Sequence, residues 1–412
     1  MTDLRTVQRV LQVHTRYRQA GGEDEVVAAE RQLLKAAGLS VAQVIFDNPG
    51  PGGRRASPAS LITQGASAVW SRAAARRVRE AIEASGSQVV HVHNTFVAAS
   101  PSVYEAAYSC RVPVVQTLHN YRLVCPAGTV YRSGHPCTDC FGHAVPWPAV
   151  AHSCYRGSRP QSAVVAATLA VGRARHTYSR KISAYFALTR FQRDLLVQGG
   201  LPADKIQVLP NFLEPDPGEG YGPRKGLLFV GRLSVDKGLT TLLQAAALAP
   251  GLVRIAGTGP QASLVESASR TGDLEALGQL DKAAVFDQLR GAVTMVLPSV
   301  WSEGFPMSIL EAYATGTPVI ASRIGSLAEL VEDGVTGLLV KPGDALELAD
   351  CLRWAVGHPD EMRRMGLGAR RAYEAKHRGG AHLAALLSTY QRLITAAGHD
   401  ERERTGGPPP TL

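Results

Sequence analysis

A short loop in the second half of the chain carries an arginine and a lysine that could share one ligand. Arg232 and Lys237 lie five residues apart between Gly231 and Gly238, directly after an apolar run that predicts a buried strand. A guanidinium can bind two oxygens of an anion while an ammonium adds a compact positive charge. The pair therefore suits an anion such as a diphosphate, although a turn with both side chains in solvent would have the same sequence.

Two glutamates, eight residues apart, follow this loop. Glu303 precedes a helix predicted at 306–315, and Glu311 lies about two turns further on. Free amides at the start of this helix form an anion site that suits a diphosphate. The two carboxylates could accept hydrogen bonds from hydroxyl groups at two depths, which suits a phosphorylated polyol. A glutamate that only stabilises the helix dipole is the ordinary alternative for either one.

Four cysteines in the first half have the spacing C-x11-C-x2-C-x13-C. A C-x2-C pair suits one tetrahedral metal ion, and the outer two cysteines could complete its four ligands. We expect a structural zinc here, with free thiols or a disulfide as the alternatives. Cys110 and Cys351 are expected to be packing residues. The four candidate ligands are Cys125, Cys137, Cys140 and Cys154.

His91 and His93 lie at the end of another predicted strand. Their i, i+2 spacing puts both side chains on one face of the sheet, where they could bind a metal ion. A hydrogen-bonded pair on the floor of a cleft, with His93 nearer the ligand, is the interpretation we favour.

The elements that must position these residues alternate short β-branched runs with longer helical stretches, which predicts βα units on parallel sheets. Such sheets bind ligands beyond the carboxyl ends of their strands, where this sequence places its glycines and polar residues. The expected class is therefore α/β, with two Rossmann-like domains and a ligand cleft. The strands are predicted at 10–14, 41–46, 89–92, 113–117, 184–188, 206–209, 227–230, 252–256, 273–277, 293–297 and 318–321.

A proline-rich stretch at 210–218 predicts the boundary between the two domains. The domains are expected at 1–210, including a cysteine-rich loop at 125–154, and at 211–376. An amphipathic helix is expected at 377–396, and a disordered tail at 397–412.

The composition favours a soluble globular protein, with 45% hydrophobic residues and a net charge of +9 over 412 residues. The excess of positive charge lies in the first half, in segments 72–79 and 156–181, which could meet an anionic membrane or a phosphorylated acceptor. No nucleic-acid-binding motif accompanies it. The longest apolar run, 162–171, is too short to span a bilayer, and we expect a cytoplasmic protein that touches the membrane from inside.

The Gly231–Gly238 stretch, followed by the Glu-x7-Glu pair of Glu303 and Glu311, resembles the family-4 retaining glycosyltransferases of the GT-B fold. The likeness is strongest over 227–340. In the first half, Gly21-Gly22 resembles the glycine loop of that family, and the segment 117–120 resembles its histidine segment. The resemblance implies two Rossmann-like domains that face a central cleft, with a C-terminal helix that returns to the first domain.

The resemblance also implies roles for the residues of the second domain. Arg232 and Lys237 would neutralise the donor diphosphate and the charge that grows on it as the glycosidic bond breaks. Glu311 would hold the ribose hydroxyls. Glu303, with the amides of Gly304 and Phe305, would bind the sugar hydroxyls.

In the first domain, the Gly21 and Gly22 amides would approach phosphate or acceptor, and His119 would contact the donor sugar near the reacting carbon. Gly231 would line the donor site, and the base would lie near 277–281. No Asp-x-Asp motif occurs at the strand ends, so we expect no catalytic metal.

The activity implied is transfer of a hexose or related sugar from a UDP- or GDP-linked donor to a glycan or lipid-linked acceptor, in cell-surface polysaccharide or glycolipid synthesis. Neither motif glutamate is an obvious nucleophile, so we expect same-face attack assisted by the leaving phosphate. A GT-B-type sugar-nucleotide epimerase and a non-catalytic sugar-nucleotide or glycan-binding protein are the alternatives.

Overall fold

The computed structural model describes residues 7–16, 21–48 and 58–405, and the chain divides into two compact units. The first unit comprises Met1–Val130, Cys137–Leu209 and Gly380–Leu412, and the second comprises Tyr131–Pro136 and Pro210–Gly379. The main division after Leu209 lies one residue from the boundary that the proline-rich stretch predicts. The six residues Tyr131–Pro136, expected in the first domain, group with the second unit instead. They form a two-stranded hairpin that is not part of the first sheet.

Each unit contains a six-stranded parallel sheet. The strand order is β2-β1-β3-β4-β7-β8 in the first unit and β11-β10-β9-β12-β13-β14 in the second, with β5 and β6 forming the hairpin. The strands are β1 Arg9–Arg16, β2 Ser40–Asp47, β3 Val89–Asn94, β4 Val114–Leu118, β5 Tyr131–Arg132, β6 His135–Pro136, β7 Ala184–Ala187, β8 Ile206–Val208, β9 Leu227–Val230, β10 Val253–Ala256, β11 Leu274–Gly278, β12 Thr294–Leu297, β13 Val319–Ser322 and β14 Gly337–Val340.

Helices connect successive strands, as parallel pairing requires. In the first unit they are α1 Gly22–Ala36, α2 Pro58–Val69, α3 Arg72–Ser85, α4 Ser102–Ser109, α5 Pro148–Ala151, α6 Arg159–Ala174 and α7 Arg190–Gln198. In the second they are α8 Leu239–Leu248, α9 Ala262–Arg270, α10 Lys282–Gly291, α11 Met307–Ala314, α12 Gly325–Leu330, α13 Ala345–Gly357 and α14 Pro359–Lys376, and the chain continues into α15 Gly379–Thr405.

The first sheet is covered on both faces. Along β1, Leu11 and Val13 enter one apolar cluster while Val10 enters another, as the alternation of side chains along a strand requires. The cluster with Val10 also contains Leu386 and Tyr390 of α15, both fully buried. The last helix is therefore part of the core of the first unit.

Two expectations about the ends of elements were wrong. The tail expected from residue 397 is helical as far as Thr405, because its Glu and Arg residues favour helix; residues 406–412 lie outside the described part. The helix expected at 377–396 begins at Gly379. Strand β14 and the β5–β6 hairpin were not predicted. Within the described residues, no helix is both long and apolar enough to cross a bilayer.

Candidate active site

Lys237 is positioned by a single turn of 3-10 helix, Val235–Lys237, that follows β9. Gly238 ends this turn with φ +71°, and a Cβ atom there would lie 1.7 Å from the carbonyl oxygen of Pro298. Only glycine allows so close an approach. The amide of Val300 also donates to the carbonyl of Asp236 at 3.1 Å. These two contacts hold the lysine loop against the end of β12.

Lys237 pairs with Glu303. Its Nζ lies 2.5 Å from Glu303 Oε2, and the Ser299 hydroxyl donates to Oε1 of the same carboxylate. The side chain of Glu303 is 5% exposed and that of Lys237 is 20% exposed. The two residues expected to contact different parts of one ligand thus contact each other, and the lysine compensates a buried negative charge.

Arg232 differs from Lys237 in its surroundings. Its side chain is exposed and makes no ion pair within the part of the chain that the structure describes. The loop that carries it packs against the turn after β10, where a Cβ on Gly257 would lie 1.9 Å from the carbonyl oxygen of Gly231. A Cβ on Gly259 would lie 2.4 Å from that of Leu233. These glycines therefore serve close packing under the arginine loop.

Glu311 projects from α11 and is buried, with Oε1 accepting a hydrogen bond from Nζ of Lys282. Lys282 begins α10, directly after Asp281, whose side chain caps that helix. Sequence reasoning missed Lys282, since its position one residue beyond the segment 277–281 gives no sign of a partner 29 residues away. The structure thus gives each motif glutamate its own lysine.

The start of α11 differs slightly from the expectation. The helix begins at Met307, with Pro306 as its N-cap, and ends with Thr315 as C-cap before Gly316 at φ +68°. Phe305 is buried, and its ring packs edge-on against that of His377 at 5.7 Å. The segment from Glu303 to α11 is therefore held by side-chain packing as well as by ion pairing.

The glycine loop of the first unit ends in α1, with Gly21 as N-cap. A Cβ on Gly21 would meet open space, so a ligand could approach the backbone there. The Gly21 amide donates to Asp24 Oδ2 at 3.0 Å, and His14 Nε2 lies 2.9 Å from Oδ1. Burial opposes the ionised form of Asp24, but these two hydrogen bonds outweigh it and lower the pKa of the carboxyl. With Glu23 and Glu25 beside it, the first turn of α1 is strongly negative.

His119 follows β4 and contacts a buried histidine. Its Nε2 lies 3.2 Å from Nδ1 of His93, whose Nε2 lies 3.2 Å from Oε1 of Glu30. Glu30, which sequence reasoning missed, is 1% exposed and lies on α1 among Val26, Val27 and Leu34. A carboxylate within an apolar helix stripe was the signal for it.

Burial shapes the titration of this group. Desolvation, then the neighbouring His93 and His14, lowers the pKa of His119 well below its usual range. Burial also lowers the pKa of His93 to about 4, against the pull of Glu30. Both rings are therefore neutral near pH 7. His93 and His119 line a pocket together with Asn94, Asn120 and Arg122.

None of the four candidate zinc ligands is in a disulfide bond in the structure. Burial, followed by the charges of the other three cysteines, raises the pKa of Cys140 to about 12. The four residues are thus neighbours, but in the described part of the chain no three of their sulfurs lie within 4.8 Å of one another. They are Cys125, Cys137, Cys140 and Cys154.

Fold and site together define an α/β protein of two Rossmann-like units. In the second unit, buried Glu303 pairs with Lys237 beyond the carboxyl end of β12. Residues 21–211 match the model of the glycosyl transferase 4-like domain, and residues 224–358 match that of the glycosyl transferases group 1. The chain belongs to this family of group 1, family-4-like glycosyltransferases.

A relative and two solved structures illustrate the likeness. D-inositol 3-phosphate glycosyltransferase of Nocardia farcinica is 33% identical over 235 residues, which are 49% of this chain and 51% of that protein. The chain spans about half the length of that relative, and less than two thirds of the other curated relatives compared.

Sucrose-phosphate synthase of Thermosynechococcus elongatus superposes with a TM-score of 0.66 at 18% identity, over 94% of this chain and 100% of that one. HepE of Anabaena, solved with UDP, superposes with a TM-score of 0.63 at 18% identity, over 93% and 100%. At this identity the likeness shows the fold, which is GT-B as the sequence predicts.

Proposed function

We propose that the protein is a retaining glycosyltransferase that transfers a sugar from a nucleoside diphosphate sugar to a hydroxyl-bearing acceptor. The observation that carries the proposal is the pairing of both motif glutamates with lysines: Lys237 with Glu303, and Lys282 with Glu311. These pairs put two buried carboxylates beside cations in one unit, where a ligand with both hydroxyls and phosphates would find partners. Membership of the glycosyltransferase family supports the same activity.

The donor would be bound by the second unit. Arg232, exposed and without an ion-pair partner among the described residues, is ready to bind a diphosphate oxygen, and Lys237 can turn from Glu303 towards the same group. Glu311 would accept from the ribose hydroxyls and Glu303 from those of the sugar. The complex of HepE with UDP favours a uridine donor for this chain; guanosine is the other candidate.

The charge of the α1 start favours a neutral acceptor at the glycine loop. Glu23, Asp24 and Glu25 already supply the negative charge that a helix N-terminus attracts, and they would repel a second anion. The Gly21 amide is also taken by Asp24. We therefore assign Gly21 and Gly22 to an acceptor hydroxyl rather than to phosphate, and His119 to the donor sugar.

The setting we propose is synthesis of a cell-surface polysaccharide or glycolipid, at the cytoplasmic face of a membrane. Helix α3 supports this, because Arg72, Arg76, Arg77 and Arg79 are all exposed on it. Such a cluster attracts anionic lipid headgroups.

For the chemistry we propose same-face attack. As the bond from the sugar to the phosphate breaks, the leaving phosphate oxygen takes the proton of the attacking acceptor hydroxyl, and the new bond keeps the anomeric configuration. Arg232 and Lys237 would stabilise the charge that grows on the leaving diphosphate. The carboxylates of Glu303 and Glu311 serve binding in this scheme.

A panel of UDP- and GDP-linked sugars tests the proposal. We expect one donor to raise the melting temperature and to be consumed, with release of the nucleoside diphosphate and, with acceptor, an NMR-detected product of unchanged anomeric configuration. Interconversion of the free sugar nucleotide would instead identify an epimerase. Binding without any turnover would identify a non-catalytic protein, and an inverted product would contradict retention.

We also propose that Cys125, Cys137, Cys140 and Cys154 hold a structural zinc. None of the four is in a disulfide, and the other three lie close enough to buried Cys140 for their charges to act on its thiol. Four thiolates are a donor set that zinc binds tetrahedrally, and the ion would pin the loop between β4 and α6.

A further inference from the structure

One face of the first sheet changes from apolar to polar as its strands approach their carboxyl ends. On β1 the residues on this face are Val10, Gln12 and His14; on β3 they are Val89, His91 and His93; on β4 and just beyond it they are Val115, Thr117 and His119. The apolar members pack in the cluster covered by α1 and α15. Three of the polar members, Gln12, His91 and His93, contact Glu30 of α1. Thr117 and His119 are hydrogen-bonded to these two histidines.

Glu30 is the anionic centre of this group. Its Oε1 accepts from the side-chain amide of Gln12 at 2.9 Å and lies 2.9 Å from His91 Nδ1 and 3.2 Å from His93 Nε2. Its Oε2 lies 3.5 Å from Nε2 of His382 on α15. Burial opposes its ionisation, but the facing histidines His91 and His93 outweigh that effect and hold the pKa of Glu30 well below its usual range. The carboxylate of Glu30 is therefore ionised and buried, and it can only accept hydrogen bonds.

An ionised acceptor fixes the direction of the hydrogen bonds that lead away from it. A carboxylate can only accept, so the Nε2 atom of His93 must carry the proton. His93 is neutral, and its Nδ1 is therefore an acceptor. The partner at 3.2 Å, His119 Nε2, must then donate. The remaining nitrogen of His119, Nδ1, is left without a proton, and it is the atom with which His119 can accept a hydrogen bond.

We propose that Glu30 and His93 are positioning residues that lock His119 in its Nε2-protonated tautomer, so that Nδ1 accepts a hydrogen bond from a substrate hydroxyl. The chain Glu30–His93–His119 is an oriented relay within the first unit. It rests on the proposed function for the identity of the substrate, a hydroxylated sugar. The same orienting role is performed by a carboxylate behind a histidine in many active sites, where loss of the correct tautomer costs activity.

A metal ion is the competing interpretation of these residues, because the ligand atoms of Glu30, His91 and His93 all lie within 4.8 Å of one another. Hydrogen bonds within the chain already satisfy these atoms. His91 has Thr117 at 2.8 Å from Nε2 and Tyr390 at 2.6 Å from Nδ1, and Gln12 donates to the carboxylate. The amide N–H of Gln12 points at Glu30 Oε1, and its positive end would repel a metal ion bound there. The relay is therefore the assignment that the contacts favour.

The test is the protonation state of the His119 ring, read by long-range proton–nitrogen NMR on protein with 15N-labelled histidine. The His119 signals are assigned by their loss in His119→Gln. We expect the wild type to show protonated Nε2 and bare Nδ1. In Glu30→Gln, where the carboxamide can donate as well as accept, His93 is no longer fixed, and His119 should become a mixture of tautomers.

Kinetics separate positioning from a merely structural role. In Glu30→Gln we expect kcat to fall by about tenfold or more, with KM changed by less than about twofold. The matched control is Tyr390→Phe, which removes a hydrogen bond to His91 in the same group but not in the relay. It should leave both kcat and the His119 tautomer unchanged.

Three results would overturn the relay. The first is a wild-type His119 that carries its proton on Nδ1, and the second is a folded Glu30→Gln with unchanged tautomer and kcat. The third is one metal ion per chain in the wild type that is absent from Glu30→Gln. If instead no donor is consumed by the wild type, the proposed function fails. The NMR measurement needs no substrate and still decides the relay.

Discussion

Lys237 has one partner in the free protein and would need another during catalysis. Its ammonium lies against Glu303, which also accepts a hydrogen bond from the Ser299 hydroxyl, and this ion pair is lost when the lysine moves to phosphate. Glu303 is almost fully buried, so the loss of its ion pair with Lys237 is costly. The lysine thus serves both the stability of the strand edge and, in our proposal, the transition state.

Substitution of the two cations separates these roles. Lys237→Ala should lower kcat by about 100-fold and also destabilise the second unit by roughly 1–3 kcal/mol, because buried Glu303 loses its ion pair. Arg232→Ala, at an exposed site, should lower activity without changing stability. Turnover and urea unfolding of both variants check this. An active Lys237→Ala would contradict the phosphate assignment, and an equally stable one would contradict the importance of the pair.

At this scale the sequence shows which residue types are present but not which of them meet. Glu30 could have been found, since it interrupts the apolar stripe of α1. Lys282 could not, because no periodicity links it to Glu311 on another helix. The pairing of Lys237 with Glu303 was hidden for the same reason: it depends on how closely two loops approach at Gly238.

At the scale of elements, the loops at the strand ends depend on glycines that permit backbone contact.

All eleven strands that the sequence predicts are present, each within one or two residues of its expected ends. Strand β14 was missed because it begins with Gly337, and glycine is rare inside strands. Its glycine is required, since a Cβ there would lie 1.9 Å from the carbonyl oxygen of Val319.

Gly238 offers a sharp test of the lysine loop. Gly238→Ala should be destabilised by about 2 kcal/mol or more beyond Gly251→Ala, and it should lose affinity for the donor. Both residues have positive φ, +71° and +76°, so both variants share the conformational cost. Only at Gly238 does the added methyl meet backbone, whereas at Gly251 it meets open space. Equal unfolding free energies for the two variants would show that the loop moves away from Pro298 at little cost, which would contradict the prediction.

The cysteine loop carries a prediction about metal content. Protein purified without added metal should contain about one zinc per chain by elemental analysis, and Cys137→Ser should lose it while Cys110→Ser keeps it. Both cysteines are partly buried, but only Cys137 belongs to the group around Cys140. A wild-type protein without zinc and with full activity would leave the four cysteines as free thiols.

At the scale of the whole molecule, each unit has its own core, and the first unit includes the last segment of the chain as well as the first. The cluster of Val10, Leu34 and Phe186 is completed by Leu386 and Tyr390 of α15, from the far end of the sequence. The amphipathic pattern of this helix was visible in the sequence. Its length was not, because the sequence after 396 has no apolar stripe that would predict a helix; the helix propensity of its charged residues favours the extension.

Leu386→Ala tests whether α15 stabilises the first unit alone. The side chain is fully buried, so we expect the first unit to lose about 2–5 kcal/mol of unfolding free energy. The second unit has a separate core, and it should keep its stability and its affinity for the donor nucleotide. Hydrogen exchange resolved along the chain measures the two units separately. Leu367→Ala on α14, 49% exposed, is the control with the same chemical change and little expected effect. A loss of protection of equal size in residues 210–379 would mean that the units unfold together, and donor affinity would then depend on a helix far along the chain from the residues that bind it.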